Sequence, residues 1–309
     1  MTGLPRALPL ILGFALIACR TGGPSASGAL AVVDDAGDTM HFAAPARRIV
    51  SLIPTTTEIL FAAGLGARVV GRTQWCDWPP GVTRVPSLGS GFPPNVEAVI
   101  ARRPDLVLLY HTAPNAPATA QLRELGIPVL RLRTDRLADV PRTARLLGTV
   151  TGASRAADSV ARAFELAVTA ESARTRAAGS AARSVLLLAW HDPAVVLGAS
   201  AFLSQLLDLA GGRNAFGDVR ASSVPVTLEA IAARDPDAIL VVDAAGAGVL
   251  ERPEWRVLHA VRARRVLQPL DPSLTRAGLR APLAVAELRR RLAALDAATH
   301  TFTRSRGRP

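Results

Sequence analysis

The sequence predicts an α/β protein of two Rossmann-like lobes joined by a single long α-helix. Three observations carry this expectation. Short apolar runs alternate with capped helical segments, the pattern of a parallel sheet with crossover helices. One small unit occurs twice, as NVEAVIARRPDLVLLY from Asn95 to Tyr110 and as TLEAIAARDPDAILVV from Thr227 to Val242. Between the copies lies an alanine-rich stretch, residues 151–178, with no proline and no strand-like run.

The elements follow in order. Residues 1–18 read as a signal peptide: one basic residue, Arg6, then an apolar run from Ala7 to Ala18 that is short for a membrane span. The run ends Leu16-Ile17-Ala18-Cys19, which resembles a bacterial lipobox with Cys19 as the lipidated first mature residue. Residues 19–29, rich in Gly, Ser and Pro, read as a lipid-anchored tether. The N-terminal lobe spans 30–150, opening with a hairpin and a strand from Ile49 to Ile53. Thr55 to Thr57 offer N-cap chemistry to a helix with Glu58 in its first turn, and Gly64 or Gly66 ends it. Strands follow at Val69-Val70, at Tyr110 and its preceding residues, and at Ile127 to Leu132. Residues 151–179 form the inter-lobe helix. The C-terminal lobe, 180–300, repeats the grammar: a strand from Ser184 to Trp190, a helix stopped by Gly211-Gly212, a strand from Ala238, a late strand from Arg264 to Leu270 and a closing helix from Ala281 to Leu295. Residues 301–309 read as a frayed basic tail.

Composition narrows the function. The 309 residues are 49% hydrophobic, enough for compact lobes. All 36 basic residues are arginine, and the formal charge is +11. The arginines are scattered rather than gathered in one stripe, so they read as a solvated surface and not as a nucleic-acid footprint. With Cys19 lipidated, Cys76 has no disulfide partner. No Cys/His zinc spacing occurs.

Two α/β lobes joined by one helix, on a lipid-anchored chain, resemble a substrate-binding protein of an ABC importer. The similarity is closest to the helical-backbone class of metal receptors, those for cobalamin, siderophores and haem, with the class III periplasmic-binding-protein fold. It is carried by RIVSLIPTTTEILFAAGLGARVVGRTQWCDWPPGV, by NVEAVIARRPDLVLLY, by LAGGRNAFGD and by VTLEAIAARDPDAILV, and it covers about Arg47 to Leu295. TQWCDWPP is similar to cobalamin-binding members. The resemblance implies a ligand held between the lobes, modest lobe movement, no catalysis, no cofactor of the protein's own, and delivery by a monomer to a transmembrane permease dimer. Cobalamin ranks first as ligand, with ferric siderophore and haem as alternatives.

Ligand contacts are expected where strands end. Pro54 and Thr55 follow the first strand; Trp75 and Asp77 lie after the second; Phe92 precedes the first copy of the repeated unit; Tyr110 and His111 end its strand. From the second lobe come Trp190, His191, Asp192 and Arg276. Aromatic rings offer flat apolar area suited to a macrocycle, and by the resemblance Trp75, Phe92, Tyr110 and Trp190 sit where cobalamin-binding members touch their ligand. Trp78 reads as a packing residue. Asp77 could receive ligand amides or cap its own turn, and Arg276 could meet a carboxylate or phosphate. His111 and His191 read first as polar lining and secondarily as metal ligands; no resident metal site is expected. Glu97 and Glu229 occupy the same position in the two copies. The helix dipole favours a carboxylate there, and the resemblance makes them transporter-docking residues that engage arginines on the two permease subunits.

Other classes fit less well. The glycines of GLGARVVG follow a helix, whereas a dinucleotide fingerprint follows a strand. A Rossmann-like enzyme and a membrane-anchored sensor or scaffold remain the rival readings.

Overall fold

The structure, a computed structural model, describes residues 30–179, 182–242, 248–249, 252–271 and 274–305. The signal-peptide, Cys19 and tether readings fall outside those residues. A hairpin of β1 (Leu30–Val33) and β2 (Thr39–Phe42) comes first. The Asp34 carboxylate holds its turn, accepting the Ala36 and Asp38 amides at 2.9 Å.

The first lobe contains β3 (Ile49–Ser51), α1 (Pro54–Ala62), β4 (Val69–Arg72), α2 (Val96–Ile100), β5 (Leu106–Tyr110), α3 (Ala116–Glu124) and β6 (Val129–Leu132). Its four strands are parallel in the order β4-β3-β5-β6. Two helices follow, α4 (Asp139–Thr151) and α5 (Ser154–Ala178). The second half contains β7 (Arg183–His191), β8 (Ala194–Leu197), α6 (Phe202–Leu209), β9 (Gly212–Asn214), β10 (Ser223–Pro225), α7 (Leu228–Ala232), β11 (Ala238–Val241), α8 (His259–Arg262), β12 (Val266–Leu267) and α9 (Ala281–Ser305). Here β9, β7, β11 and β12 lie parallel in that order, the same permutation as in the first sheet. Strands β8 and β10 are an antiparallel addition on the edge of β7.

The repeat extends to backbone detail. Asn95 caps α2 by accepting the Ala98 amide at 3.0 Å, and Thr227 caps α7 by accepting the Ala230 amide at 3.3 Å. Arg103 and Asp235, each just before a Pro-Asp pair, both have left-handed φ, at 48° and 38°. The following aspartates clip the neighbouring strand: Asp105 accepts the Arg47 and Arg48 amides at 2.8 Å, and Asp237 accepts the Ser184 amide at 2.8 Å.

Successive strand residues point to opposite faces, and each sheet is covered on both. Leu106 and Leu108 join one core while Val107 and Leu109 join another. Val185 and Leu187 share the first of these, whereas Leu186 and Leu188 face a third with Phe216 and Trp255. The central cluster is therefore continuous between lobes, bridged by Ala161 and Phe164 of α5 and by Val285 and Leu288 of α9.

Several expectations change. The inter-lobe helix expected over 151–179 is α5, unbroken but beginning at Ser154; Gly152, with φ of +69°, ends the preceding helix α4. Helix α4 was not foreseen. Thr55 to Thr57 do not cap α1; Ile53 is the cap, Pro54 takes the first helical position, and the Thr56 and Thr57 hydroxyls donate back to the Ile53 carbonyl. Glu58 lies beyond the first turn and is buried. Residues 301–305, read as tail, continue α9.

Helix α5 packs on α1, α4, α6 and α9. Its Glu171 is buried, bonded to Arg289 of α9 and to Arg174. Burial alone would raise this carboxyl, but the hydrogen bonds and charges of Arg289 and Arg174 hold it below its ordinary value. A depressed native value means the stabilisation is present above the ordinary carboxylate range and is lost as pH falls through the native value. Glu171→Gln should therefore cost about 1.5–3 kcal/mol at pH 7. In urea unfolding, the difference from wild type should shrink toward pH 3; a difference that persists at full size would separate the loss from the charge.

Candidate functional site

A cavity of about 820 Å³ lies between the lobes. Tyr110 at the end of β5 and residues 133–136 after β6 line it from the first lobe. Ser200 to Phe202 at the start of α6, together with Ser222, line it from the second half, and Arg276 and Ala277 from the segment before α9. The cavity thus sits at strand ends, where loops are free of the sheet ladder and can carry functional groups.

Hydrogen bonds cross between the halves on both sides of it. On one side, the strap of residues 276–280 leaves the second half and docks on α1. The Glu58 carboxylate accepts the Leu279 amide at 3.0 Å and lies 3.2 Å from the Arg280 guanidinium. The Thr55 hydroxyl donates to the Ala277 carbonyl. Gly278 has no side chain because a Cβ there would stand 2.7 Å from Glu58 Oε2. Burial pushes the Glu58 carboxyl up from its ordinary value, while the charge of Arg280 pulls it back. On the other side, Gln205 of α6 accepts the Leu137 amide at 3.2 Å and donates to the Asp135 carbonyl at 3.4 Å.

The sequence-named residues divide into three groups. Pro54 and Thr55 are buried under the strap region rather than lining the cavity; Ala277, to which Thr55 donates, is the residue that lines it. Asp77 and Arg276 are engaged with each other at 2.8 Å, so neither waits unpaired for a ligand. Arg276 also donates to the Trp75 carbonyl, Arg280 lies 3.5 Å from Asp77, and its guanidinium stacks 5.4 Å from the Trp78 ring. Asp192 is paired with Arg252 at 3.0 Å, and its carbonyl accepts the Trp190 indole N–H at 2.8 Å. By contrast, Trp75, Phe92 and Trp190 present 54%, 53% and 43% of their surface to solvent. They are the three exposed aromatic residues among the described residues. Tyr110 is half-buried in the cavity wall, and burial raises its phenol above the ordinary value.

His111 follows β5 and is half-buried. His191 ends β7, its ring centroid 5.8 Å from that of Trp190, with a buried Nδ1 that has no hydrogen-bond partner. Among the described residues no group of three or more His, Cys, Asp and Glu is gathered to hold a metal ion. Cys76 is a buried free thiol within reach of the Thr57 and Thr73 hydroxyls, both at 3.2 Å. Glu97 and Glu229 are exposed at the second position of α2 and α7. The Glu229 carboxyl is held below its ordinary value by its own backbone amide and by the Thr227 hydroxyl.

Sequence reasoning missed Arg133, Thr134 and Arg136. Their position directly after the last apolar run of the first sheet was the available signal. It also missed Gln205 and the partner of Glu58, because contacts between residues far apart in sequence leave no local pattern.

Comparison with known proteins agrees with this architecture. A family described as periplasmic binding protein matches residues 49–268. An uncharacterised ABC transporter substrate-binding lipoprotein of Bacillus subtilis is 34% identical over 250 residues, covering 78% of each chain. A vitamin B12-binding protein of Pectobacterium atrosepticum is 28% identical over 206 residues, covering 66% of this chain and 74% of that one. Among solved structures, a periplasmic haem-binding protein in complex with two haems superposes with a TM-score of 0.72 at 28% identity, covering 82% of this chain and 99% of that one. With two lobes, a shared strand order and a cavity between them, the chain belongs to the periplasmic binding protein family, whose members serve as substrate-binding proteins.

Proposed function

We propose that this chain is an extracytoplasmic lipoprotein receptor that captures cobalamin, or a related metal chelate, between its lobes and delivers it to an ABC importer. The observation that carries the reading is the placement of aromatic area. Among the described residues the aromatic rings open to solvent are Trp75 and Phe92, between β4 and α2, and Trp190 near the end of β7, while Tyr110 and Phe202 line the cavity itself. Exposed rings are costly to leave in water and gain from covering by a flat apolar ligand. Ferric siderophore and haem are the alternatives within the same fold, and a relative at 28% identity binds haem. Tyr110, which borders the cavity, is the residue available for a phenol-ligated haem, although its raised phenol works against that role.

The ligand is bound and released without bond making. Lipidation at Cys19 would keep the receptor near its permease. One chain carries Glu97 and Glu229 on matching helices, so a monomer can meet a two-fold permease with one carboxylate per subunit. Their exposure fits docking, since among the described residues neither carboxylate has an arginine partner.

Titration of the purified protein with cyanocobalamin, haemin and ferric chelates, followed by tryptophan fluorescence, should show saturable quenching with at least one of them. Trp75→Ala and Trp190→Ala should each weaken that ligand by about 1–3 kcal/mol, the scale of a buried aromatic contact. A flat response to every chelate would remove the ligand assignment.

The double variant Glu97→Ala/Glu229→Ala should keep ligand affinity and thermal stability near wild type while uptake in cells, and binding to permease in proteoliposomes, falls about tenfold or more, as expected for lost charge pairs at an interface. Normal uptake by the double variant would end the docking reading.

A further inference from the structure

The 820 Å³ cavity is lined by several charged residues and not by Trp75, Phe92 or Trp190, and its chemistry bears on which ligand it takes. Arg133 and Arg136 both line it. Their backbones are fixed from several directions. The Arg133 amide donates to Asp35 at 2.6 Å, and its carbonyl accepts from Arg142 at 3.0 Å. The Arg136 amide donates to Asp139 at 2.9 Å. Both side chains are exposed, and among the described residues neither guanidinium has an acid or carbonyl partner. Between them Thr134 is 4% exposed, its hydroxyl set beside the Tyr110 phenol, whose pKa it pulls back against the rise from burial.

The remaining charges lining the cavity are already balanced or few. Arg142 is bonded to Asp35 and Asp139, and Arg276 to Asp77. Asp135 is the one acid there without a side-chain partner, which leaves an excess of one positive charge among the unpaired groups. Opposite stands the start of α6, whose cap Ala201 gives no side-chain acceptor to the first amides of the helix.

We propose that this wall of the cleft is an oxyanion subsite: Arg133 and Arg136 clamp a carboxylate or phosphate carried by the ligand. The inference rests on the receptor reading above and deepens it by naming what the chelate must carry. Guanidinium groups suit the task because they stay charged and present a planar fork to such an anion. The aromatic loops then hold the apolar body, and the basin selects among chelates by their appended charge.

The test uses two matched pairs of probes on the purified protein: haemin against haemin dimethyl ester, and cyanocobalamin against dicyanocobinamide, which lacks the phosphate-bearing loop. The first pair reports a carboxylate and the second a phosphate. In at least one pair the anionic member should bind about tenfold or more tightly than its partner, as a charge-assisted contact requires. Arg133→Gln/Arg136→Gln should bring that ratio near one while leaving the neutral member's affinity unchanged, and Arg133→Lys/Arg136→Lys should restore part of it. Should the double variant misfold by circular dichroism, the wild type still decides: added NaCl should weaken the anionic member and not the neutral one. Equal binding within each pair, or a preference that survives the Gln substitutions, overturns the subsite and leaves the receptor function standing. No binding of any probe overturns both.

Discussion

The contact on which this structure turns is the capture of the 276–280 strap by Glu58. A carboxylate buried in α1 accepts a backbone amide and faces a guanidinium from a segment more than 200 residues later in the chain. Removing a carboxylate from water is unfavourable, and burial raises this one. Buried ion pairs are weak evidence for stability; what this one supplies is position. It fixes where α9 begins, and through Arg276 and Arg280 it fixes the loop that carries Trp75, Asp77 and Trp78. The strap passes so close that residue 278 has no room for a side chain while Glu58 keeps its bonds.

That contact sets the mechanics of the cleft. Opening it widely would break the strap bonds on one side and the Gln205 bonds on the other, and would shear a hydrophobic cluster shared by both sheets, α5 and α9. Dense interiors do not deform continuously. The cavity is therefore held largely preformed, which lowers the ordering cost of binding.

The fold was legible because it rests on local rules. Apolar runs marked the strands, glycines marked the helix ends, and the Asn95 and Thr227 caps marked the repeated unit. Helix α4 and the strands β8 and β10 were missed, the strands because four and three residues leave little periodicity to read. The site was legible in part. Aromatic residues after strands can be found by position alone, and Trp75, Phe92 and Trp190 are exposed there. Polar partners cannot be found that way. Asp77 and Arg276 look alike as free ligand groups in sequence, and only the return of the chain past α1 makes them partners for each other.

The two halves share a strand order, a cap, a glutamate and a strained residue before Pro-Asp, yet they differ at the cavity. The first half ends β5 in Tyr110 and follows β6 with Arg133, Thr134 and Arg136; the second ends β11 in Val241 and adds β8 and β10, which bring Ser200 and Ser222 to the opposite wall. The two features answer to different geometric demands. In the docking proposed for Glu97 and Glu229, each carboxylate faces an equivalent site, which holds that surface alike in both halves. A ligand without that symmetry imposes no such likeness, so the strand ends are free to diverge.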